Sequence, residues 1–154
     1  MTVTRVKPTR VLLERLAEDM RAADRAEVWA SGHYPPSEAV LGGWERSDYS
    51  SVAVDEDGVP LVVLGLGTRD LLSGIGVVWL LGTDEALKYR REFIKQANPL
   101  LNELLDICPL LYNLAPGKNK NSIRWLKRLG FTVKHPEPHC PDGELFHRFH
   151  IEGV

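Results

Sequence analysis

Five side chains able to bind a soft metal fall within sixteen residues near the end of the chain: His135, His139, Cys140, His147 and His150. Zinc requires four such ligands converging at about 2.0–2.3 Å. The spacing works against convergence. His147 and His150 are three apart on a predicted strand and so face opposite ways, and Pro136 and Pro138 exclude a helix that would bring His135 and His139 together. No metal ligand set is assigned. Cys140 has no CxxC partner and no base–orienter pair, so it is not read as a nucleophile. Gly65, Gly67, Gly74 and Gly76 lack GxGxxG order, and glycines in strands mark bulges or close backbone approach. Asp19–Glu27 alternates acids and bases at helical spacing, which reads as a solvated face or an exposed docking helix.

These residues must be positioned by one modest core. The 154 residues carry 19 Lys+Arg and 21 Asp+Glu, a formal charge of −2, with 44% hydrophobic and 26% charged residues. That is the composition of a soluble globular protein and a length that fits one domain, 1–154. The near-neutral balance and the absence of a long basic run argue against a nucleic-acid partner. The longest apolar stretches, Leu61–Gly67 and Gly74–Gly82, are far below the ~20 residues of a membrane span. Met1–Pro8 lacks the apolar core of a secretion signal. Two cysteines, Cys108 and Cys140, fit a reducing, cytoplasmic setting.

Periodicity orders the elements. Thr2–Val6 reads as a strand, with Pro8 opening a helix. Leu12, Leu13, Leu16, Ala17, Met20, Ala23 and Val28 form an amphipathic stripe, as one helix or two joined near Asp19–Asp24. Gly32 ends it, and Ser37 caps a short helix, Glu38–Trp44. Ser51–Val54 and Pro60–Gly67 form a hairpin around Asp57-Gly58. Gly74–Leu81 is a strand buried on both faces. Gly82-Thr83-Asp84-Glu85 then opens a long helix whose stripe includes Leu87, Ile94, Leu101, Leu104 and Cys108, and which Pro99 must kink or divide. Pro109–Ala115 is another strand. Asn119 or Asn121 caps the helix Ser122–Leu129, Gly130 closes it, and strands Phe131–His135 and Glu144–Ile151 finish the chain. The expected fold class is α/β, one domain with a central mixed, mostly antiparallel sheet flanked by helices.

The segment Tyr112–Phe131, with Asn119, Ser122-Ile123 and Leu129-Gly130-Phe131, resembles the last motif of the GNAT N-acetyltransferases. The element order resembles that family too. A narrower likeness lies in Ala17–Trp29, Trp79–Asp84 and Ile123–Leu126, which are similar to GNAT-like proteins of tailed phages and prophages, relatives of an internal virion protein of short-tailed phages.

The resemblance implies acetyl-CoA in a cleft between the strands Gly74–Leu81 and Pro109–Ala115. Leu80, Leu81 and Thr83 would contact the cofactor through the backbone, and Asn119 and Ser122 its pantetheine or phosphate portion. The diphosphate would rest on a Gly-rich loop at the next helix N-terminus, where exposed N–H groups favour an anion. Here that place reads Leu81-Gly82-Thr83-Asp84-Glu85-Ala86, with two carboxylates that would cap the helix and repel a diphosphate. Lys118 and Lys120 are the cations able to compensate. Leu126 stands where many relatives carry an acid tyrosine. His33, Glu45 and Asp48, with Tyr34 and Trp44, fall in the segment bordering the acceptor groove of relatives, yet no catalytic residue is assigned. Two functions follow as expectations. One is a phage or prophage GNAT-like protein with a degraded site, virion-associated or acting through phage structural proteins. The other is an N-acetyltransferase using acetyl-CoA on an unidentified amine. Neither implies a membrane partner.

Overall fold

The computed structural model describes residues 2–70 and 72–153. Met1, Leu71 and Val154, part of the expected 1–154 span and of the Met1–Pro8 segment, lie outside the described residues. Seven strands form one sheet: β1 (Thr4–Val6), β2 (Tyr49–Val54), β3 (Pro60–Asp70), β4 (Ile75–Gly82), β5 (Leu110–Pro116), β6 (Thr132–His139) and β7 (Glu144–Glu152). Their spatial order is β1-β2-β3-β4-β5-β7-β6. Every neighbouring pair is antiparallel except β4–β5. The fold class is therefore the expected α/β domain with a mixed, mostly antiparallel sheet.

Three helices, α1 (Arg10–Glu18), α2 (Ala22–Gly32) and α3 (Pro36–Arg46), cover one face. They bury Leu13, Leu16, Ala17, Val28 and Val40 against Val52, Val63 and Leu81. The other face takes α4 (Arg90–Ile107) and α5 (Lys120–Leu129), which enclose Leu64, Leu66, Leu101, Leu104 and Leu111. Alternation assigns the two faces: Val63 belongs to the first core, and its neighbours in β3, Leu64 and Leu66, to the second.

Several boundaries differ from the sequence expectation, each for a local reason. The first stripe is two helices. The Arg25 guanidinium donates to the carbonyls of Met20 (2.7 Å), Glu18 (2.6 Å) and Ala17 (3.3 Å), which satisfies the end of α1. Thr9, not Pro8, starts α1, its hydroxyl accepting from Leu12 N–H. The α3 helix begins at Pro36, a residue that lacks the N–H no helix start can use, and not at a Ser37 cap. His33 closes α2 with φ 57°, while Gly32 is required by the Tyr34 ring: a Cβ there would meet it at 2.3 Å. β6 runs through Pro136 and Pro138, which an edge strand tolerates because one side needs no ladder hydrogen bonds.

The largest difference concerns the long helix. A 3-10 turn, Asp84–Tyr89, precedes α4, and Pro99 lies inside α4 without dividing it. Leu87 and Ile94 are exposed, against expectation, whereas Leu101, Leu104 and Cys108 are buried as expected. Three residues per turn instead of 3.6 rotates Leu87 out of phase with α4, so extrapolation across the junction fails there; Ile94 shares a side of α4 with Leu101, and the change of pitch does not explain its exposure.

Candidate functional site

β4 and β5 pair only at Ile75–Leu110, Gly76–Leu111 and Val77–Tyr112. Beyond these positions β4 stays on β3 as far as Gly82, and β5 stays on β7 as far as Pro116. The two strands thus part company from Val78 and Asn113 onward, and a fork opens in the middle of the sheet. Asn113 sits in its crotch. Its Nδ2 donates to the Val78 carbonyl at 2.7 Å, and its Oδ1 accepts from Leu114 N–H at 2.7 Å. The sequence reading passed over Asn113, although one amide inside the apolar run Leu110–Ala115 is the signal that could have found it.

At the outer end of the fork's β4 arm, the backbone is occupied from within the chain. Gly82 N–H donates to Asp24 Oδ2 at 2.7 Å, and Gly82 C=O accepts from Arg21 N–H at 3.0 Å. Thr83 N–H and its hydroxyl both donate to the Leu61 carbonyl at 3.0 Å. Ala86 N–H donates to Thr83 C=O, and Arg90 N–H to Leu87 C=O. A diphosphate cradle needs N–H groups aimed outward without partners. Three of the N–H groups within residues 82–86 are engaged in hydrogen bonds of the fold.

Charge here differs from the expectation as well. Asp84 and Glu85 stand at the start of the 3-10 turn, six and five residues before α4 begins, and Lys88 pairs with Glu85 at 3.0 Å. The repulsion of an anion is therefore partly neutralised, and the engagement of the N–H groups is the stronger obstacle. Asp24 overturns the reading of Asp19–Glu27 as a solvated face. It is 2% exposed and lies 2.8 Å from Arg21 Nε. One turn on, burial pushes Glu27 up to about 7, Asp24's charge adds to the rise, and Arg21 opposes it.

The five residues expected to contact a cofactor are distributed along both arms. Leu80 is 46% exposed, whereas Leu81 and Thr83 are buried in the sheet and its end. Across the fork, Asn119 Oδ1 accepts from Ser122 N–H at 3.3 Å, so the two cap α5 together. The residues considered as bases do not converge. His33 Nε2 lies 2.9 Å from both carboxylate oxygens of Asp142, tying the end of α2 to the β6–β7 turn, and its ring stacks on Trp29. Asp48 accepts from Thr68 N–H (2.7 Å) and hydroxyl (2.5 Å), bonds that hold its carboxyl below the usual range and make it a weak proton acceptor. With Trp44 it lines an open groove of about 970 Å³ between the β1–β2 edge and α4. Glu45 is exposed. Trp79 fills the space over Gly65, where a Cβ would come within 2.1 Å, and donates to Ser47 Oγ at 2.8 Å. Among the described residues no cluster of three His, Cys, Asp or Glu could hold a metal ion, and no helix is long and apolar enough to cross a membrane.

No family model matches the sequence, and no curated protein does. Solved structures do match over nearly the whole chain. A spermidine N-acetyltransferase chimera of Vibrio cholerae superimposes with a TM-score of 0.73 at 11% identity, covering 99% of this chain and 96% of that one. A GNAT superfamily phosphinothricin acetyltransferase of Sinorhizobium meliloti, in complex with acetyl-CoA, gives 0.68 at 20% identity, covering 99% and 90%. A GNAT-family acetyltransferase of Bacillus anthracis gives 0.70 at 9%, covering 97% and 94%. The chain has the GNAT fold.

Proposed function

We propose that this protein keeps the GNAT scaffold without its catalysis and serves a tailed phage or prophage as a virion-associated interaction protein. It would be made in the host cytoplasm and would meet phage structural proteins there. The observation that carries the first half is the engagement of the Gly82, Thr83 and Ala86 N–H groups within the fold. An anion displacing Asp24 from Gly82 would leave a 2%-exposed carboxylate beside Arg21 without its backbone donor, a cost of about 1–3 kcal/mol. Leu126, half-buried and packed on the second core, supports the same reading, because a hydrocarbon cannot protonate a departing thiolate. The phage half is supported by the sequence likeness in Ala17–Trp29, Trp79–Asp84 and Ile123–Leu126.

Thermal unfolding with millimolar acetyl-CoA tests the scaffold half. A ligand present at 100 times its Kd adds ~2.7 kcal/mol, several degrees for a domain of this length. The expected shift is none. A clear shift would establish the second reading, an acetyl-CoA-dependent N-acetyltransferase, which the fork between β4 and β5 favours; Leu80, Leu81, Thr83, Asn119 and Ser122 would then contact the cofactor. Mass spectrometry of purified particles from the producing phage tests the other half, and absence of the chain there would refute it.

A further inference from the structure

Charge is distributed unevenly along this chain. Lys118, Lys120, Arg124, Lys127, Arg128 and Lys134 occur in seventeen residues without a carboxylate, which leaves 13 cations against 21 acids elsewhere. All six are exposed. At about 100° per residue, Lys120, Arg124, Lys127 and Arg128 share one side of α5, a stripe of about 12 Å. Ile123, Leu126 and Leu129 occupy the opposite side and pack into the second core. Among the described residues the four stripe cations form no ion pair; Arg124 donates to its neighbour Asn121 Oδ1 at 3.0 Å, and Lys118, off the stripe, has Glu144 at 3.9 Å.

Helix electrostatics does not explain this arrangement. The positive end of a helix dipole favours acids in the first turn and cations in the last. Lys127 and Arg128 obey that preference. Lys118 and Lys120 flank the Asn119 cap instead, and the first turn holds no acid. Lys120, placed against the local field, and Arg124, Lys127 and Arg128 beside it form no ion pair among the described residues, and such cations are matched by an anion from outside.

Against the expectation drawn from the near-neutral total, we propose that the outer face of α5 docks the phosphodiester backbone of a nucleic acid, without reading its sequence. An acidic protein is the poorer fit. Protein interfaces bury an apolar or aromatic centre within a polar rim, and Lys120, Asn121, Arg124, Lys127 and Arg128 offer no such centre. A phosphate backbone needs none, since its binding comes from the release of condensed counterions. The inference does not depend on whether acetyl-CoA binds in the fork.

Fluorescence anisotropy of the full chain with a labelled duplex of about 20 base pairs provides the test. Four phosphate contacts predict a slope of log K against log[salt] of about −3.6, and a Kd of order 10⁻⁴–10⁻⁶ M at physiological salt. The double variant R124Q/K127Q should flatten the slope by about 1.8. Arg124→Lys should leave it unchanged, as should Lys95→Gln on α4. No binding near 50 mM salt overturns the proposal, and so does a slope that R124Q/K127Q leaves intact. Equal competition by polyglutamate of matched charge would assign the stripe to an acidic protein. Displacement by low-micromolar coenzyme A would assign it to a nucleotide. Either outcome refutes the nucleic-acid reading.

Discussion

The two arms of the fork carry opposite charge in opposite ways. On the β4 arm, acids from separate segments meet around Tyr89. Burial raises its hydroxyl above the usual tyrosine range, and Asp55, Glu56, Glu85 and Asp57 raise it further. Much of this acidity has structural work inside the chain. Asp55 Oδ1 accepts from the N–H groups of Asp57 and Val59 at 2.9 Å and so shapes the β2–β3 turn, Glu85 pairs with Lys88, and Asp24 holds Gly82. On the β5 arm the cations of α5 form no ion pair among the described residues, and Arg124 bonds only to Asn121 one turn before it. A charge with internal partners contributes to folding, whereas a charge without them is available to a partner. The near-neutral total conceals this division.

Four substitutions sharpen that contrast, beginning with the largest expected effect. Asp24→Ala should destabilise by about 3–5 kcal/mol, because it removes the acceptor of Gly82 N–H and leaves Arg21 beside the buried site without its counter-charge. Urea midpoints measure this, and a loss below about 1 kcal/mol would show that the β4 arm does not depend on Asp24.

Glu27→Gln comes next, with a sign that depends on pH. A carboxyl raised to about 7 binds a proton in the folded state that the unfolded chain has already released. Stability is therefore lost as pH rises from about 4.5 to about 7. The variant should gain about 3 kcal/mol over the parent at pH 8 and under about 1 kcal/mol at pH 5. Equal differences at both values would contradict the burial of this charge.

Asp55→Ala should cost about 1 kcal/mol by freeing two turn N–H groups. Lys127→Gln should cost under about 0.5 kcal/mol, as an exposed cation without a partner would. If thermal melts reversed the order of this last pair, the distinction between the two arms would fail.

Much of the fold was legible in local pattern. The Asp57-Gly58 hairpin, the Asn119 cap, the Gly130 closure with φ 102° and the apolar strands follow from chemistry acting within a few residues. The candidate site was less legible. Leu80, Leu81, Thr83, Asn119 and Ser122 came from a resemblance, and the chain order could not reveal that Asp24, 58 residues upstream, would occupy Gly82 N–H. The α5 cations were visible one by one, but only the helix placed four of them on one side.

The sequence by itself determined the order of the helices and strands and several of their turns and caps, because propensity, capping and alternation act over short separations. Tertiary structure alone decided that β4 and β5 would part after Val77 and Tyr112, that Asp24 would be buried, and which charges would find partners. Hydrogen bonds and ion pairs between distant segments depend on distances of a few ångströms that no local pattern encodes.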